Sequence, residues 1–101
     1  MLCSFLENVG PSIILNPKDT IATVGSNVSF YCFILGEPKP RVKWIKHGLP
    51  LTARPHIVTS NEVLTIMNLN EARDAGSYQC SASNVIGTII SLKAKLIFPC
   101  K

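Results

Sequence analysis

Asp74-Ala75-Gly76-Ser77-Tyr78-Gln79-Cys80-Ser81-Ala82-Ser83 carries the cleanest alternation in the chain. Tyr78, Cys80 and Ala82 fall on one face, and Ser77, Gln79, Ser81 and Ser83 on the other. Successive side chains of a strand point to opposite sides, so this segment predicts a strand with one dry face and an inward cysteine. Upstream, Val28, Phe30 and Cys32 alternate with Asn27, Ser29 and Tyr31, which predicts a second strand with its own inward cysteine. Gly36-Glu37-Pro38-Lys39-Pro40 then breaks the pattern, because each proline lacks a ladder donor and fixes its backbone angle. From Arg41 to Lys46, Val42 and Trp44 point one way and Arg41, Lys43 and Ile45 the other.

The same reading extends to the rest of the chain. Leu64 and Ile66 alternate with Thr65 and Met67, and Leu69 lies just past that strand. After a turn at Asn84 to Gly87, a single last strand is expected, with Ile90, Leu92, Ala94 and Leu96 inward and Ser91, Lys93 and Lys95 outward. Weaker strands are expected at 13–15, 20–23 and 56–59, and 47–55 is rich in turn residues. No stretch of ten or more has a helical stripe. The fold class is all-β, and short half-apolar strands bury their dry faces by stacking two sheets about 10 Å apart.

A chain of 101 residues holds one core. Hydrophobic residues at 47% against 16% charged exclude disorder, and the longest apolar run, Phe30 to Leu35, is far below the roughly 20 residues of a helical bilayer crossing. Residues 1–10 read as a lead or linker, without the basic flank of an intact signal peptide. Ten basic against six acidic residues make the surface mildly basic, which suits an acidic partner without requiring one. Four cysteines without a Cys-x-x-Cys pair, and only two histidines, argue against a zinc site and for disulfides in an extracellular setting.

Cys32, Trp44, Leu64-Thr65-Ile66 and the Asp74 to Cys80 run, followed by Ala82-Ser83-Asn84-Val85-Ile86-Gly87, resemble the immunoglobulin domains, specifically the intermediate set of cell-adhesion and receptor ectodomains. The resemblance covers residues 11–98 and leaves 99–101 as a C-terminal edge. It implies a two-sheet Greek-key sandwich in which Cys32 and Cys80 join the sheets beside Trp44, with Leu64, Ile66 and Tyr78 in the core. Tyr78 would form the tyrosine corner, its hydroxyl bonded to backbone a few residues upstream, and Asp74 and Gly76 would serve as turn residues. The implied function is an extracellular protein-interaction module of a larger adhesion, receptor or matrix protein. Similar domains also build intracellular muscle filament proteins, and others are accessory units of receptor kinases or matrix enzymes. The implied partner is another protein or a neighbouring immunoglobulin-like domain.

Cys3 and Cys100 lie outside the matching region. A bridge between them would need the lead to fold back almost fully extended, so each is expected to pair outside this chain or stay free, the alternative being a second, domain-specific bridge or an intermolecular one. Asn27-Val28-Ser29 is an acceptor pattern for an N-linked glycan, and the alternation points Asn27 outward. No phosphate loop, nucleophile elbow or metal-ligand cluster is present, so neither a cofactor nor a catalytic residue is assigned. His47 and His56 read as solvated loop residues, and Glu62, Glu71 and Asp74 as turn and surface carboxylates. The outward side of the Trp44, Cys80 and final strands would show Arg41, Lys43, Ile45, Ile89, Lys93 and Lys95, a basic face suited to an acidic protein patch or heparan sulfate. An ordinary solvated face guarded by lysines accounts for the same residues. Nucleic acid is not expected, because no aromatic residues interleave with these charges.

Overall fold

A computed structural model describes residues 7–51 and 54–99; Cys3 and Cys100 lie outside them. The elements run β1 (Val9–Leu15), β2 (Thr20–Ile21), β3 (Val28–Tyr31), β4 (Phe33–Glu37), β5 (Arg41–Lys46), β6 (Leu49–Pro50), β7 (Ile57–Thr59) and β8 (Val63–Ile66). They continue through helix α1 (Glu71–Asp74), β9 (Gly76–Ser83), β10 (Thr88–Ile90) and β11 (Ala94–Ile97). β1 opens at Val9, inside the segment expected to be lead, and β4 carries strand structure to Glu37, into the expected loop.

One layer has the order β2-β11-β9-β5-β6, and β10 pairs with β9 ahead of β11. The other layer is β3-β8-β7, prolonged by the β1–β4 pair because β3 and β4 are separated only by Cys32. The N–H of Cys32 donates to the carbonyl of Glu62, and that of Ile34 donates to the Glu62 carboxylate at 3.2 Å. β8 starts at Val63, so beyond Cys32 the continuing strand loses β8 as a neighbour and takes β1 instead. Between the layers lie Phe30, Cys32, Ile34, Trp44, Leu64, Ile66, Leu69, Tyr78, Cys80, Ala82 and Leu96, all nearly or fully buried. Cys32 and Cys80 form a disulfide across the core, with Cα atoms 6.5 Å apart. Phe30 stacks on Tyr78 at a centroid separation of 5.2 Å.

Turn chemistry fixes the registers. His47-Gly48 joins β5 to β6 with φ of 52° and 78°, the paired positive angles of a two-residue hairpin turn, and Lys46 faces Leu49 across it. Gly76, with φ of 144°, starts β9 where a side chain would run into the His47 imidazole, so only glycine fits.

The last strand departs from expectation. Ile89 is half-buried against the core and Ser91 is buried, whereas Ile90 and Leu92 are exposed at 58% and 70%. Ala94 and Leu96 are again inward. The inward positions are therefore 89, 91, 94 and 96: an irregular stretch between β10 and β11 inserts one residue and reverses the phase. Its hinge is Ser91, whose hydroxyl accepts the Cys80 N–H at 2.9 Å and donates to the Leu92 carbonyl at 2.8 Å. Ile89 is thus part of the packing and not of the outward face.

Candidate recognition surface

The outer face of the β5-β9-β10-β11 sheet follows from its registers. Arg41, Lys43 and Ile45 on β5 lie beside Ser83, Ser81 and Gln79 on β9, and Ser83 and Ser81 lie beside Thr88 and Ile90 on β10. Ser77 lies beside Lys95 on β11. Small serines down the middle leave the face low, with charged rows at its margins. Its exposed apolar residues include Ile90 on β10 and Ile97 on β11, with Leu92 in the irregular stretch between them; the sequence pattern had placed Ile90 and Leu92 inward. No carboxylate occurs within β5, β9, β10 or β11. Asp19 stands at the rim, where it accepts the backbone N–H of Lys95 at 2.8 Å.

At one end of this face the loop after β4 meets the β9–β10 turn. Asn84 ties them together, donating from Nδ2 to the Pro38 carbonyl at 3.0 Å and to the Val9 carbonyl at 2.7 Å. The result is an open concavity of about 560 Å³ along Lys39, Arg41, Lys43 and Val85. Lys39 pairs with Glu62 at 3.5 Å, but among the described residues Arg41 and Lys43 have no carboxylate partner. Cations collected without counter-charge beside a concave wall attract an anion, and that attraction weakens with salt.

A second polar cluster is structural. Asn70 caps α1 by accepting the Arg73 N–H at 3.0 Å, and the Asp74 carboxylate accepts the Asn70 N–H at 2.9 Å. Arg73 grips the same carboxylate through Nε and Nη2 at 3.0 and 2.8 Å. The Tyr78 hydroxyl donates to the Asp74 carbonyl at 2.5 Å, which is the expected tyrosine corner. His56 is corrected from solvated loop to corner member: its side chain is only 16% exposed and its Nε2 lies 3.7 Å from Asp74. His47 is exposed. Asp74, expected as a turn carboxylate, is buried. Burial pushes its carboxyl up, but the Arg73 and Asn70 hydrogen bonds outweigh that and hold it below the usual carboxylate range. Burial raises the Tyr78 phenol well above its ordinary value, so it stays a donor. Glu62 has separate partners, Lys39 and the Ile34 N–H, and does not join the Asp74 cluster. Among the described residues no group of three or more His, Cys, Asp or Glu could hold a metal ion, and no helix is long and apolar enough to cross a membrane.

Residues 10–84, from the second residue of β1 to the β9–β10 turn, match a family model described as immunoglobulin domain. The chain belongs to the immunoglobulin domain family. This immunoglobulin domain is 39% identical over 80 residues to human leucine-rich repeats and immunoglobulin-like domains protein 1, covering 77% of the chain and 7% of that protein. It is 42% identical over 80 residues to the mouse basement membrane-specific heparan sulfate proteoglycan core protein, covering 77% of the chain and 2% of that protein. Among solved structures it is similar to the N-terminal two-domain immunoglobulin module of the Drosophila receptor protein tyrosine phosphatase DLAR. The TM-score is 0.85 at 31% identity, over 91% of this chain and 47% of that one. The immunoglobulin domain thus spans a small fraction of the length of these curated relatives.

Proposed function

We propose that this is an intermediate-set domain acting as an extracellular protein-interaction module of a larger adhesion, receptor or matrix protein. It works by noncovalent recognition and carries no reaction of its own. The observation that carries the reading is the outer sheet face, whose strands hold no carboxylate, with Arg41 and Lys43 unpaired among the described residues beside the concavity, Lys95 on the far strand and Lys93 in the irregular stretch before it. Such a face suits an acidic surface on a partner protein, with Ile90 and Leu92 supplying apolar contact between the charges. Heparan sulfate is the second anionic partner that it suits. The core disulfide supports an oxidising compartment over an intracellular filament.

Heparin serves as the polyanion probe. The wild-type chain is expected to elute from a heparin column at higher salt than the Lys43→Glu, Lys93→Glu double variant, with unchanged circular dichroism. Equal elution of the two proteins removes the basic face as a recognition surface.

A further inference from the structure

We propose that Asn27 carries an N-linked glycan whose first sugars lie in the groove along the open edge of β3. This rests on the extracellular reading above, since only a secreted chain meets the transferase. Asn27 is exposed, and its Oδ1 accepts the backbone N–H of Asn68 at 2.9 Å. With the oxygen held there, Nδ2, the atom that takes the sugar, is directed away from the Asn68 backbone. In the transfer, the Nδ2–C1 bond forms as the C1–O bond of a lipid-pyrophosphate-linked oligosaccharide breaks. The lipid pyrophosphate leaves with the electron pair of that bond, the amide gives up one proton, and nothing is oxidised or reduced.

Among the described residues the groove exists because β3 has a neighbour on one side only. The N–H of Cys32 bonds to Glu62, so by antiparallel alternation Phe30 and Val28 also bond toward β8, facing Leu64 and Ile66. The N–H and C=O groups of Ser29 and Tyr31 therefore face the other way. β1 does not cover them, because its ladder to β4 ends at Leu15 opposite Phe33 and the chain then crosses to the other layer at β2. What remains is a groove of about 300 Å³ lined by Leu15, Pro17, Lys18, Ser29 and Tyr31, within the usual range for small-molecule sites, roughly 300–1,000 Å³.

A sugar ring presents an apolar C–H face and a polar rim. Tyr31, 46% exposed, with half-buried Leu15 meets the first, while Lys18 and the backbone groups of Ser29 and Tyr31, unpaired among the described residues, meet the second. Ser29 is two strand residues from Asn27, about 7 Å, so the first sugars arrive at the groove mouth. An added peptide strand is the rival occupant of any open edge. The tethered glycan has the higher effective concentration, and by filling the groove it keeps a second chain from pairing there.

The test expresses the whole chain behind a supplied secretory leader in a eukaryotic host, which separates this proposal from the compartment reading. The latter is checked by the redox state of Cys32 and Cys80 in protein from its native cells. Intact mass before and after peptide N-glycosidase is expected to show one glycan, absent in Asn27→Gln. Nuclear Overhauser contacts are expected from the first sugars to the Tyr31 ring and Leu15 methyls. In Tyr31→Ser, with occupancy unchanged, an endoglycosidase should trim the glycan about fivefold faster, the scale of a single aromatic stacking interaction. An unmodified Asn27 in folded secreted protein overturns the proposal. So does a glycan without these contacts whose trimming ignores Tyr31→Ser, or a glycosylated protein that dimerises through β3.

Discussion

Asp74 shows how one side chain holds a corner. Only 2% exposed, it is tied to Arg73, the Asn70 N–H and the neighbourhood of His56, while its carbonyl receives the Tyr78 hydroxyl. Because its folded pKa lies below the ordinary 3.8, its stabilisation is fully present above that value and is lost as pH falls through the lower folded one. Asp74→Asn is expected to cost about 2 kcal/mol at pH 7, the loss of charge-assisted hydrogen bonds, and progressively less as pH drops below 3.8. Urea midpoints of both proteins at pH 7 and pH 3 check this, and a gap that stays constant contradicts it. Part of the corner was legible: Tyr78 two residues before Cys80 pointed to its role. That Asp74 is buried and His56 joins it was not, because the residue just before β7 meets one in α1 only after the layers have stacked. Trp44 is buried in the core, but its indole N–H finds no acceptor among the described residues, which no pattern of neighbours could reveal.

Among the elements, the strands with uninterrupted alternation were legible and those with an inserted residue were not. β3, β5, β8 and β9 bury the residues their period-two pattern nominates. The final strand failed because Ile89, Ile90 and Leu92 are all apolar, so hydrophobicity could not say which of them faces inward. The decision belongs to Ser91, a short polar side chain that fits inward only because the Cys80 N–H is waiting for it. Ser91→Ala leaves that buried donor without its acceptor and is expected to lower unfolding free energy by about 1–3 kcal/mol. Equilibrium urea unfolding should show a lower midpoint with an unchanged slope, and an unchanged midpoint refutes the role given to Ser91. The same phase reversal exposes Ile90 and Leu92 beside the β9 serines, so the candidate surface acquires apolar contact residues from a bulge that the sequence pattern hides.

At the scale of the molecule, the disulfide closes a loop of 48 residues between the two layers. Constraining the unfolded chain to that extent is worth about 4 kcal/mol in the loop-entropy account, a large share of the roughly 5–15 kcal/mol of a typical domain. Replacing both cysteines by alanine is expected to leave the chain folded at 25 °C, with its thermal midpoint lower by tens of degrees, read by calorimetry with and without reductant. A shift of only a few degrees would mean that packing alone holds the layers. The architecture was legible because short half-apolar strands must stack their dry faces and the Cys32, Trp44 and Asp74 to Cys80 residues resemble the immunoglobulin domains, whereas the open flank of β3 depends on where β1 crosses over, which local residues do not encode. That crossing has one more consequence. Since β2 runs parallel to β11, a pull applied at the two ends of the chain drags these strands in opposite directions along their length. Their hydrogen bonds are loaded together in shear instead of opening one after another like a zip, which gives the domain mechanical resistance along the axis on which a tandem array would be stretched.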